Sequence, residues 1–245
     1  MYQTLFYQPI LNLLIFLYNI IPGNDLGVAI IILTIIIKLI LFPLSKKSLT
    51  SQKALQDLQP KINEIKKKYS NNKEQMSREM MLLYKDNKVN PFSSCLPLFI
   101  QLPFLFAVFK VFRDGFENGA LELVYPFISR PESIKYISFG FIDLSVRNIP
   151  MAILAGAAQY WQTKMMMTKK PEVKSQESKD EDMMAIMNKQ MMIMMPLLTV
   201  FIGMSFPGGL ALYWLVTTVL TGLQQVYVFR KQRVSQGAIE GEVIR

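Results

Sequence analysis

The sequence contains no histidine and a single cysteine, Cys95. The first absence removes the usual zinc sites, the HExxH protease and any Ser-His-Asp triad. The second removes an internal disulfide and any CxxC site. No nucleotide-binding motif is present, so the chain is not expected to be an ATPase, and neither a cofactor nor an enzymatic reaction is expected. No internal repeat of the kind that marks many transporters is visible. Between Met1 and Ile21 there is no lysine or arginine, which leaves this apolar stretch without the charged start of a signal peptide. Acidic residues are in the minority, 18 against 27 basic ones, giving a net charge of +9.

What is present is apolar. Hydrophobic residues make up 51% of the 245 and come in long blocks, which predicts an integral membrane protein of the all-α class. The basic excess falls in particular loops, a pattern that sets orientation and points to a cytoplasmic face rather than to DNA. Residues 1–25 read as an N-terminal helix lying in the membrane interface, with Thr4, Gln8, Asn12 and Asn19 on one stripe, followed by the turn Pro22-Gly23-Asn24-Asp25; an extra span over 1–21 is the alternative, and it would place an uncharged N-terminus in the cytoplasm, against the charge pattern. Residues 26–44 form the first span. Residues 45–90 carry eleven Lys and Arg residues on two amphipathic helices, folded into a cytoplasmic hairpin with Ser70-Asn71-Asn72 at its tip. Residues 91–112 form a second span containing Pro97, Gln101 and Pro103, where proline favours a kink. Residues 113–148 are an extracytoplasmic loop, 149–167 a third span, and 168–190 a polar, mobile cytoplasmic loop. Residues 191–229 hold the fourth and fifth spans as a hairpin turned at Pro207-Gly208-Gly209, and 230–245 form a basic cytoplasmic tail. The methionine cluster from Met183 to Met195 reads as adaptable packing surface. The arrangement places the N-terminus outside and the C-terminus inside a plasma or inner membrane, with all basic segments on one side.

One charge interrupts the first span. Lys38 lies roughly 10 Å from the Ser45-Lys46-Lys47 end at 1.5 Å per residue. An ammonium there costs about 2.5–3.5 kcal/mol on insertion scales and usually faces a cavity or a partner. A lysine snorkelling to the nearby interface is the alternative. Thr34 is one turn earlier on the same face. Gln101, Gln159, Gln162, Tyr213 and Trp214 are the other polar or amphipathic candidates to line a path between the spans.

Several stretches resemble the YidC/Oxa/Alb family of membrane protein insertases. They are the charged first span ending Phe42-Pro43-Leu44, Leu58-Gln59-Pro60-Lys61-Ile62, and Glu79-Met80-Met81-Leu82-Leu83-Tyr84-Lys85. Then come Val89-Asn90-Pro91, Cys95-Leu96-Pro97-Leu98-Phe99-Ile100-Gln101-Leu102-Pro103, and Phe206-Pro207-Gly208-Gly209-Leu210-Ala211-Leu212-Tyr213-Trp214. Individually modest, they are specific in this order. The resemblance implies five spans around a hydrophilic groove open to cytoplasm and lipid, and a cytoplasmic hairpin that meets the ribosome or other targeting partners. The bacterial pattern has arginine where this chain has Lys38, so the charge is kept and the planar fork is lost. The chain resembles a minimal version of the family, without a large extracytoplasmic domain.

The function expected is that of a membrane protein insertase or chaperone. Its clients are nascent membrane proteins, and its partners the ribosome, the lipid bilayer, and the Sec translocon or a targeting receptor. A small-solute transporter or channel is the rival reading, since it too needs a polar path. An intramembrane Ser-Lys protease built on Lys38 and Ser45 is disfavoured, because the two are seven residues, about 10 Å, apart along a helix.

Overall fold

The structure is a computed structural model and describes residues 2–91, 96–114, 120–166 and 179–243. Cys95, much of the 168–190 segment and the side chains of Met183, Met184, Met187 and Met191 lie outside the described residues. Helices dominate. A wide turn at Gln3–Tyr7 leads into α1 (Gln8–Ile20), followed by α2 (Leu26–Ile40), α3 (Phe42–Asp57), α4 (Gln59–Lys68), α5 (Lys73–Asp86) and α6 (Leu96–Asp114). A short 3-10 turn at Ala120–Leu123 and the hairpin β1 (Ile137–Ser138) and β2 (Ile142–Asp143) come next, then α7 (Ile149–Met166), α8 (Lys179–Ser205) and α9 (Gly208–Val243).

The main core is built from α1, α2, α6 and the first turns of α9. Leu11, Leu14, Ile30, Leu33, Val108 and Tyr213 are among its fully buried members. Helix α7 packs on α8 and α9 as a second group, and α3 lies against α9 through Leu49, Val228 and Phe229. Close approach at these seams depends on missing Cβ atoms. One placed on Gly222 would meet the Trp161 ring at 2.2 Å, and one on Gly209 would meet the Phe112 ring at 2.3 Å.

Much of the outer surface is apolar. Leu39, Ile40, Phe106, Leu197, Leu198 and Phe201 are exposed, a distribution that suits lipid and not water. Among the described residues the segment Gly208–Arg230 is long and apolar enough to cross a bilayer by itself. Leu26–Ile40 and Phe42–Asp57 pass that test only as a pair bent by 67°, and Met192–Ser205 is a shorter apolar helix.

Four local features differ from the reading of the sequence. Helix α2 stops at Ile40 rather than Leu44, because Pro43 cannot donate to a preceding carbonyl and instead occupies the first turn of α3. Pro60 divides the basic segment again, at the start of α4, so 45–90 holds three helical pieces. Helices α4 and α5 form the hairpin, and Asn72 caps α5 by accepting from the Gln75 N–H. The polar stripe of α1 is not left to water: Gln8 and Asn12 donate to the Leu123 carbonyl, and the Tyr125 N–H donates to the Asn12 side-chain oxygen at 2.6 Å. The segment around Leu123 and Tyr125 covers it, leaving Asn12 only 2% exposed. Helix α8 begins at Lys179, inside the segment read as a loop.

The N-terminal end of α2 is tied to the β-hairpin by Asp25. It caps α2 by accepting from the Val28 N–H at 3.1 Å, and its second oxygen accepts from the Phe139 N–H at 2.7 Å. Partial burial opposes ionisation there, but these N–H groups, with those of Gly27 and the Ser138 hydroxyl, outweigh it and hold the carboxyl below its ordinary range. A folded value below the unfolded one stabilises above the unfolded value and is lost as pH falls through the folded one. Asp25→Ala is therefore expected to lower the melting temperature in detergent at neutral pH, by the equivalent of about 1 kcal/mol for a lost cap. The gap should shrink below about pH 4, where Asp25 starts to protonate in the unfolded chain. Gly209→Ala should cost about 1–3 kcal/mol by overpacking against Phe112, read in the same melts.

Candidate functional site

Lys38 occupies the last turn of α2. A helical Cα–Cβ bond tilts toward the N-terminus, so this side chain is aimed back into the bundle, away from the α2–α3 bend. Its ammonium donates to the Gln101 Oε1 at 3.2 Å and to the Thr221 Oγ1 at 2.8 Å. Both acceptors come from other helices, α6 and α9.

Each acceptor passes a hydrogen bond on. The Gln101 Nε2 donates to the Tyr213 hydroxyl at 2.6 Å, and the Thr221 hydroxyl donates to the Thr217 carbonyl at 2.7 Å. A lysine ammonium has only donors, so the Gln101 amide is oriented with its oxygen toward Lys38 and its nitrogen toward Tyr213. Tyr213, Thr217 and Thr221 recur every four residues and share one face of α9. The result is a polar cluster joining three helices inside an otherwise apolar bundle.

The electrostatics of the cluster are one-sided. Neutral oxygens meet the ammonium, and among the described residues no carboxylate lies within ion-pair distance of it. Two of its three donors are used. Beside it is an open cavity of about 200 Å³ lined by Ile35, Lys38, Leu39, Phe42, Leu220 and Gln224. Such a site favours a group with negative charge or a strong acceptor.

The other candidates fall elsewhere. Thr34 is 1% exposed, with its hydroxyl donating to the Ile30 carbonyl at 2.7 Å within its own helix. Gln159 and Gln162 are half-buried on α7, and no hydrogen bond joins them to the Lys38 cluster among the described residues. Trp214 is half-buried beside Tyr213 but points about 100° away around the helix. Thr221, Thr217 and Gln224 were absent from the sequence candidates. Their signal was the Tyr213, Thr217, Thr221 spacing in an apolar helix.

A helical bundle with a lipid-suited surface, holding a lysine ammonium between helices beside an open cavity, defines the class: a membrane protein with a polar cluster among its helices. The profile of the family described as "60Kd inner membrane protein" matches residues 16–236. The chain is 36% identical over 225 residues to a "Membrane protein insertase YidC" of Geobacter sp. (strain M21), covering 90% of this chain and 36% of that protein. The protein of the same name from Treponema denticola is 36% identical over 219 residues, again spanning 36% of its length. That from Fusobacterium nucleatum subsp. nucleatum is 34% identical over 208 residues, covering 85% of this chain and 88% of that protein. The chain thus spans little more than a third of several curated relatives and most of another. It belongs to the YidC/Oxa family of membrane protein insertases, the 60Kd inner membrane protein family.

The cluster should behave as one unit. Thr221→Val and Tyr213→Phe each leave a polar partner unsatisfied, at a cost of about 1–3 kcal/mol. In a Lys38→Met background Thr221→Val should cost clearly less, because its charged donor is gone. A double-mutant cycle on melting temperature reads the coupling; strict additivity would mean that Lys38 and Thr221 do not interact.

Proposed function

We propose that the chain is a non-enzymatic insertase that receives hydrophobic clients from the cytoplasm and releases them sideways into lipid. The observation that carries this reading is the inward-held ammonium of Lys38, partnered by neutral groups and open to a cavity. The physical task is to move a short hydrophilic segment part-way through a medium in which unpartnered polar groups are costly. A polar site set between spans lowers that barrier. An acidic client residue brought within 4 Å of Lys38 at an effective dielectric of 20 gains about 4 kcal/mol, before desolvation is subtracted. Phe42, Leu39 and Leu220 on the same cavity wall suit the apolar part of a client, which then partitions into lipid by its own hydrophobicity.

The same reading gives five spans, over 26–44, 91–112, 149–167, 191–206 and 210–229, with the N-terminus outside and the tail in the cytoplasm of a bacterial-type plasma membrane. Lysine asymmetry supports it, since 45–90 and 230–245 are the basic segments. The α4–α5 hairpin carries exposed lysines and the exposed apolar pair Met81 and Leu82. It is the natural contact for a ribosome or targeting partner.

Insertion into proteoliposomes tests the charge role. Lys38→Ala should reduce the yield of a client with an acidic tail several-fold and that of its neutralised twin much less. Lys38→Glu should be worse still for the acidic client, since like charges repel in a poorly screened site. Equal yields from wild type and Lys38→Ala with both clients would rule out charge capture. Removing 59–86 leaves α3 in place, with Leu49 against Val228 and Phe229. That deletion should preserve membrane assembly and impair delivery of ribosome-bound clients; normal delivery would reduce the hairpin to a topology signal.

A further inference from the structure

The β1–β2 hairpin is a short tip, and among the described residues Ile137, Phe139 and Phe141 on it are left exposed. The Phe141 N–H donates to the Ser138 carbonyl at 3.2 Å, closing a tight turn with Phe139 at φ 55° and Gly140 at φ 81°. A bulky residue at positive φ is strained, and here the conformation is held by the Asp25 carboxylate on the Phe139 N–H. The strain turns aromatic rings outward: Phe141 is 80% exposed, Ile137 62% and Phe139 41%. Lys135, two residues before Ile137 on the same alternating face, is also exposed. Ser138 and Ile142 face the protein: Ile142 packs on the main core, and the Ser138 hydroxyl accepts from the Gly27 N–H at 2.7 Å.

That contact sets the height of the tip. Gly27 is in the first turn of α2, where the first apolar span begins. The hairpin therefore lies level with the point at which that span leaves the bilayer. Nearby, the Lys135 N–H donates to the Tyr18 hydroxyl on α1, whose Phe16 and Ile20 are exposed apolar residues as well. Two-residue strands leave edge N–H and C=O groups unpaired, which holds the tip at the headgroup level and out of the hydrocarbon.

We propose that Ile137, Phe139 and Phe141 form a lipid anchor that inserts between the headgroups of the outer leaflet beside the first span. Through Asp25 and Ser138 it holds the outer end of α2, and with it the depth of Lys38. The inference rests on the topology proposed above. Its occupant is lipid because the exposed rings sit at bilayer height, with an exposed lysine placed to meet phosphate groups.

The test uses the full chain in phospholipid vesicles, with Cys95→Ser and a nitroxide attached at Phe141→Cys or, for reference, Glu132→Cys. Phe141 is exposed, so its replacement leaves the core intact. The label at 141 should be relaxed by lipid-soluble oxygen several-fold more, relative to a water-soluble nickel complex, than the label at 132. Equal access of the nickel complex to both labels would overturn the anchor, since it would show the tip standing in water rather than in lipid. An impermeant thiol reagent applied from outside to Glu132→Cys in intact cells checks the topology separately. Labelling at 132 with water exposure at 141 therefore sinks the anchor alone. Asp25→Ala should raise the mobility of the label at 141 and lower its oxygen preference. An unchanged spectrum would remove Asp25 from the proposal.

Discussion

An ammonium inside an apolar bundle has to be solvated by something, and here that requirement joins helices far apart in the chain. Lys38 is satisfied by one oxygen from α6 and one from α9. Because the two acceptors are neutral, their bonds hold the charge in position without cancelling it. An ion pair with a resident carboxylate would be as well held but electrostatically silent toward a client. The bend after Ile40 belongs to the same constraint. It places Lys38 in a final helical turn, whose side-chain tilt and partial negative end both suit an inward-pointing cation.

The two ends of α2 are held by different physics. The C-terminal end is governed by Pro43, which ends one helix and begins the next. The N-terminal end is governed by Asp25, which completes the α2 backbone and fastens the β-hairpin in a single side chain. Between them the helix packs on α1 and α9 through Leu33, Ile30 and Leu26. Gly209 lets α9 come close to α6, where Tyr213 meets Gln101, and Gly222 lets it come close to α7 at Trp161. Packing and polar contacts are thus mutually dependent: close approach makes the hydrogen bonds possible, and the hydrogen bonds specify which approach is adopted.

Parts of the candidate site were legible in the chain and parts were not. Lys38 stood out because a lone charge in an apolar run is costly wherever it points. Gln101 and Tyr213 were readable as polar groups in apolar helices. Thr34 was misleading: shared helical face made it a candidate, yet a threonine hydroxyl can be satisfied by the carbonyl four residues back, and that is where it goes. Thr221 was overlooked because threonine is unremarkable in such helices until a partner is identified. The polar stripe of α1 was visible, but its cover was not, since the bonds from Asn12 span more than a hundred positions.

By itself the sequence determined the class: helical, rich in apolar runs, and a member of a recognisable membrane protein family. Apolar run length, charge asymmetry and proline positions act locally, and local physics is written in consecutive residues. Only the tertiary structure decided which oxygens meet Lys38, that no resident carboxylate does so among the described residues, and that Asp25 binds the β-hairpin to α2. Those contacts join residues 63, 183 and 114 positions apart. Hydrogen bonds act only over about 3 Å, and no local pattern announces which distant groups will be brought that close.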